Sequence, residues 1–162
     1  MRPTLRAAVL LLVPAALVAC GGGKADTGQP ATTTSSAGAS SAAGGLSDFE
    51  MKHGVGPVTE EVTVGPIDAA LAKQGQTAFE GKCSACHKAA ERYVGPALGG
   101  VTERRSPAYV MNMILNPDGM YTKHPEARKL LAEYMTQMPN QQLTRDDARA
   151  VVEYLRTLPA PK

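Results

Sequence analysis

The chain has 162 residues, with 17 Lys and Arg against 15 Asp and Glu, a formal net charge of +2 at pH 7. So even a balance excludes a nucleic-acid binder driven by bulk charge. With 3 Cys, the chain also lacks the second Cys pair that an ordinary structural zinc site would draw on.

In chain order, Arg2 and Arg6 precede an apolar run from Ala7 to Ala19. These are the charged and hydrophobic parts of an export signal, and the run is too short for an ordinary transmembrane helix. The ending Leu17-Val18-Ala19-Cys20 resembles a bacterial lipobox, which implies removal of residues 1–19 and lipidation of Cys20; an ordinary signal peptide cut elsewhere is the alternative. Losing Arg2 and Arg6 brings basic and acidic residues to equal numbers. Residues 20–45 are the lipidated Cys followed almost entirely by Gly, Ala, Ser and Thr. Such a stretch cannot bury enough apolar surface to fold and reads as a tether from lipid to domain. Gly21 stands where, in a cell with two membranes, an Asp would suggest retention in the inner one.

Residues 46–66 scatter Phe49, Met51, Val55, Val58, Val62 and Val64 among Gly54, Gly56, Pro57, Gly65 and Pro66. No helical period emerges, so an extended strip over the domain surface is expected, with His53 as a solvated side chain. The arm up to residue 66 is acidic and the remainder basic.

The globular domain is expected over 67–162. Pro66 suits a first helical position, and Ile67, Leu71, Gly75 and Phe79 recur at four-residue steps as one helical face. Gly75 weakens a helix and therefore marks close approach of another backbone. The fitting partner is the last helix, where Thr144 and Asp147 form a capping arrangement ahead of the stripe Ala148, Val151, Val152, Leu155 and Leu158, stopping before Pro159. Between them, Ser106 and Pro107 open a helix through Val110, Met111, Met113, Ile114 and Leu115, ended by Asn116-Pro117. Another starts at Pro125 and carries Ala127, Leu130, Leu131 and Tyr134. No stretch reads as a strand. An all-α domain this small has a limited core of its own, and a large apolar group held inside would complete it.

Cys83-Ser84-Ala85-Cys86-His87 supplies the reason for such a group. C-x-x-C-H is the spacing that attaches a c-type haem: each thiol can form a thioether to a vinyl group, and the adjacent imidazole ligates the iron. A thioredoxin-like C-x-x-C would sit beside a strand, and the flanks here read helical. Once Cys20 is assigned to the lipid, the remaining pair is either a strained disulfide or a cofactor site, and His87 favours the cofactor.

Gly75-x-x-x-Phe79 before C-x-x-C-H, then Gly95-Pro96-x-Leu98, then Met138-Pro139 ahead of Tyr154-Leu155, together resemble a class I monohaem c-type cytochrome over roughly residues 67–158. The resemblance implies the small cytochrome c fold, four to five helices around one covalent haem c. It also implies that the Pro96 carbonyl receives the His87 ring N–H, a contact that raises ligand basicity and fixes ring orientation.

For the second axial ligand, Met138 is the expectation, because it follows a helix and lies in the polar loop Gln137 to Gln142. Met111 and Met113 fall within a helical stripe and Met135 one turn after Leu131, where Met is usually packing. Met120, beside Gly119 in an expected loop, is the best competitor. His124, before Pro125, reads as a surface side chain. His87 with Met138 leaves no vacancy for oxygen and raises the potential, which describes a carrier of single electrons rather than an enzyme. Lys82, Lys88, Arg92, Arg104 and Arg105 cluster around the haem segment and suit docking to an acidic partner. A quinol-oxidising complex, a terminal oxidase or a nitrogen-oxide reductase would each suit an exported, lipid-anchored cytochrome facing the periplasm or the outer surface. The alternatives are a haem enzyme or gas sensor with an open sixth site, and a haem anchoring subunit of a larger complex.

Overall fold

The computed structural model describes residues 45–161. The expected signal, Cys20 and the linker up to residue 44 lie outside them. Seven helices run through the described residues: α1 (Asp48–His53), α2 (Ala69–Lys82), α3 (Val101–Arg104), α4 (Pro107–Leu115), α5 (Pro117–Lys123), α6 (Pro125–Tyr134) and α7 (Arg145–Leu155). No strand occurs among the described residues. The all-α expectation therefore holds, and α1, α3 and α5 are short helices that periodicity over a long window does not reveal.

α2 begins at Ala69 rather than at Pro66, because Asp68 is the cap: its side chain accepts from the Ala70 and Leu71 N–H groups. Ile67 stays exposed, outside the apolar face. α2 crosses α7 at Gly75, where a Cβ would meet the Ala150 carbonyl oxygen at 1.9 Å. Only the absent side chain lets the two backbones approach so closely. One turn later the Phe79 and Tyr154 rings meet with centroids 5.3 Å apart. α7 starts with the reciprocal cap read from the sequence, Thr144 and Asp147 each bonding the other's backbone N–H.

A buried ion cluster pins the same crossing. Glu153, with no exposed surface, accepts from the Asp68 N–H at 2.9 Å, Arg149 at 2.5 Å and Arg156 at 2.6 Å. Burial pushes its carboxyl pKa up, but the Asp68 hydrogen bond and the two guanidinium groups outweigh that and hold it below the usual value.

The stretch 46–66 departs from the extended surface strip. Ser47 and Glu50 form a capping box that starts α1, a signal lost in a window dominated by Gly and Pro. Val55, Val58 and His53 are buried. His53 stacks on Phe49 with centroids 4.5 Å apart and places Nδ1 2.9 Å from Ser106 Oγ; burial pushes its imidazole pKa down. Asn112 of α4 holds the strip: its amide donates to the His53 and Val58 carbonyls at 3.0 Å each and its Oδ1 accepts from the Val58 N–H at 2.9 Å. A fully buried Asn is tolerated because the backbone satisfies it. His124 is likewise buried, not on the surface; Nε2 lies 3.1 Å from the Met51 carbonyl oxygen and Nδ1 accepts from Glu126 N–H.

Two apolar clusters result. One joins α2, α4 and α7 through Phe79, Cys83, Val110, Ile114, Val151 and Leu155. The other gathers Val55, Tyr109, Met120, Tyr121 and Ala127. Met138 packs against both.

Gly75→Ala is expected to lower unfolding free energy by about 1–3 kcal/mol, read from denaturant midpoints, since backbone rather than a flexible side chain must move. Glu153 acts on the acid side. A carboxyl with a depressed folded pKa stabilises fully above the unfolded carboxylate range, and that contribution fades as pH falls through the folded value. Glu153→Gln should therefore flatten the acid limb of a stability–pH curve, with the largest difference from wild type near neutrality.

Candidate functional site

α2 ends where the motif begins. The Cys83 N–H closes the last turn on the Phe79 carbonyl at 2.8 Å, and the Cys86 and His87 N–H groups both return to the Cys83 carbonyl, at 3.0 and 2.9 Å. The motif thus occupies a tight turn past the helix end. From there the chain doubles back: Gly95 N–H donates to the Cys86 carbonyl at 2.9 Å, Leu98 N–H to Lys88 at 2.9 Å and Gly99 N–H to Ala89 at 2.8 Å. That pairing carries the Pro96 carbonyl oxygen to 3.0 Å from His87 Nδ1. With Nδ1 donating there, Nε2 keeps its lone pair and can ligate a metal. Gly95 is required on steric grounds, because a Cβ would stand 2.5 Å from His87 Cε1.

Cys83, Cys86, His87, Pro96 and Met138 all line one cavity of about 470 Å³. Members of both apolar clusters form its walls, among them Phe79, Val110, Leu155, Tyr109 and Tyr121. Cys83 is buried and Cys86 exposed, and no disulfide joins them. Burial, with Cys86 adding to it, pushes the unattached Cys83 thiol up to about 11. Burial likewise pushes the Tyr121 phenol up.

The methionines separate cleanly. Among the described residues, Met113 and Met138 line the cavity. Met120 does not: it lies within α5 rather than a loop, is fully buried, and its Sδ accepts from the Val55 N–H at 3.1 Å. Met135 closes α6 with φ of 52° and is 83% exposed. Met111 is core. Met138 sits half-buried in the loop after α6, its N–H donating to Tyr121 Oη at 3.0 Å.

The basic cluster is partly committed within the fold. Arg92 lies over the Tyr134 ring and pairs with Glu133, Arg104 donates to the Gly99 carbonyl, and Lys88 donates to the Ser84 carbonyl. Arg105 pairs with Glu126 at 3.1 Å and lies over the Tyr109 ring. Lys82, Arg104 and Arg105 also line the cavity.

Tyr109 is the residue that sequence reasoning missed. It is 4% exposed, on the cavity wall, and its hydroxyl is the buried side-chain polar atom without a partner among the described residues. A buried hydroxyl left unbonded is costly. It calls for a polar group from whatever fills the cavity. The pattern held a faint signal, a Tyr on the α4 turn just after the Ser106 cap and one turn before Met113.

A large apolar cavity, two cysteines in its lining, an oriented imidazole, an orphaned hydroxyl and nearby guanidinium groups fit a macrocycle that is apolar in its plane and carries carboxylates at its rim. The domain is of the covalent-haem class. Residues 72–159 match the Cytochrome c family. Cytochrome c2 iso-2 from Magnetospirillum molischianum is 33% identical over 87 residues, covering 47% of this chain and 90% of that protein. A cytochrome c-553-like protein from Synechocystis is 29% identical over 69 residues, 40% of this chain and 66% of that protein. The solved structure of cytochrome c from Rhodothermus marinus superposes with a TM-score of 0.63 at 48% identity, covering 67% of this chain and 93% of that one. The chain belongs to the cytochrome c family: it is a monohaem electron-transfer cytochrome with one covalently bound haem c.

Gly95→Ala is expected to reduce the yield of haem-loaded protein, because the new methyl group displaces the imidazole. The ratio of Soret absorbance to protein absorbance in purified material checks it, with Gly81→Ala, which has open space at its Cβ position, as the unaffected comparison.

Proposed function

We propose that the protein is a lipid-tethered cytochrome that shuttles single electrons between respiratory partners outside the cytoplasmic membrane. The observation that carries the redox part is that His87, oriented by Pro96, and Met138 border the same cavity as both thiols. Cys83 and Cys86 would hold the haem by thioethers, and His87 and Met138 would offer nitrogen and sulfur to its iron. A haem c bound in this way supplies a one-electron ferric–ferrous couple whose potential Met ligation raises. The chain's own residues do the rest. Pro96 fixes the imidazole, the apolar walls exclude water and favour the less charged state, and Tyr109, Arg104 and Arg105, on the cavity lining, would receive the rim carboxylates.

The tether rests on sequence. The Leu17-Val18-Ala19-Cys20 ending and the low-complexity stretch behind it support lipid attachment at Cys20 and an envelope location. No helix among the described residues is long and apolar enough to cross a membrane. A quinol-oxidising complex as donor and a terminal oxidase or nitrogen-oxide reductase as acceptor fit an anchored carrier of this chemistry.

In the oxidised protein the weak near-infrared band of Met sulfur on ferric iron should be present in wild type and absent in Met138→Ala. Persistence of the band in that variant would move the ligand to Met113; its absence from wild type would favour an open sixth site, with sensor or enzyme chemistry. For the anchor, Cys20→Ser should shift the protein from the membrane to the soluble envelope fraction.

A further inference from the structure

Three hydrogen bonds fasten the loop that carries Met138, and all of them end on one short stretch of chain. Gln137 Nε2 donates to Asp118 Oδ1, Met138 N–H donates to Tyr121 Oη at 3.0 Å, and Asn140 Nδ2 donates to the Leu115 carbonyl at 3.2 Å. Residues 115 to 121 are the end of α4 and the first part of α5. The central bond is the most shielded of the three: it is part-buried, with Tyr121 8% exposed, whereas Gln137 and Asn140 face solvent. Bonds screened by water contribute less than one shielded from it, whose loss strands a donor.

α5 has only seven residues and needs outside support to serve as an anchor. The strip before the matched region provides it. Val55 N–H donates to Met120 Sδ at 3.1 Å, and Asn116 Nδ2 donates to the Val55 carbonyl at 3.0 Å. Met120 and Tyr121, adjacent in sequence, thus face two ways: one is held by the strip, the other holds the loop.

We propose that Tyr121 is a positioning residue for the axial methionine, its hydroxyl fixing the Met138 backbone so that the thioether is delivered to the iron. The strip around Val55 is the brace behind it. This rests on Met138 being the axial ligand. An external base competing for the sixth position must first release this loop, so the strength of the Tyr121 bond sets how readily it does so.

The test uses haem-loaded, full-length ferric protein titrated with imidazole and followed by the Soret shift and the loss of the near-infrared Met band, for wild type, Tyr121→Phe and Asn140→Ala. Tyr121→Phe keeps the ring and removes the acceptor; loss of one net hydrogen bond corresponds to imidazole binding tighter by about fivefold. Asn140→Ala, with its exposed side chain, should change affinity by less than about twofold and shows the effect of the loop without risk to the core. Tyr121→Phe that loses thermal stability yet binds imidazole as wild type does would overturn the proposal, making Tyr121 packing alone. So would an equal effect from both variants. A wild type without the near-infrared band would overturn the axial assignment itself, a result distinguishable from the other two.

Discussion

The 3.0 Å contact between His87 Nδ1 and the Pro96 carbonyl oxygen is the constraint on which the remaining structure depends. It fixes which ring nitrogen carries the proton and therefore which is available to a metal. The contact exists only because the chain reverses over residues 86–99 in backbone pairs, with Gly95 leaving room beside the ring. That reversal in turn needs a rigid base. The base is α2 locked onto α7 at Gly75, with buried Glu153 tying Asp68 to Arg149 and Arg156.

The second half of the domain solves a different problem. Its cluster around Tyr109, Met120 and Tyr121 is small, and residues 46–58 contribute Val55 to complete it. Between this cluster and the first lies the cavity, bordered by both, with Met138 packed against each. The haem is therefore core as well as cofactor. The all-helical domain of the described residues, in a chain with no Trp, has a limited core of its own, so the fold and the redox centre are built as one object.

Much of this was legible in the residues. The Ser106 and Thr144 caps and the helix starting at Pro125 rest on local chemistry within a few positions, the Gly75 crossing on one glycine in an apolar stripe, and the structure places them as read. What escaped was tertiary. His53 and His124 look like surface residues because nothing adjacent to them announces that Ser106 and the Met51 carbonyl will enclose them. Met120 reads as the best competitor to Met138 because Gly119 hides a short helix, and it is held by Val55, far away in sequence. Tyr109 carried only the faint signal of its place after the Ser106 cap, and Tyr121 none. Their roles come from a cavity that only the folded chain defines.

The central claim is that the chain itself supplies both iron ligands, so that the reduced iron exchanges electrons without taking up an external gas. Carbon monoxide added to the reduced, haem-loaded protein at neutral pH tests this most directly. The account predicts a reduced spectrum unchanged over the minutes in which an open haem would saturate, with uptake appearing in Met138→Ala. Rapid, complete formation of the carbon monoxide adduct by the wild-type protein would contradict it.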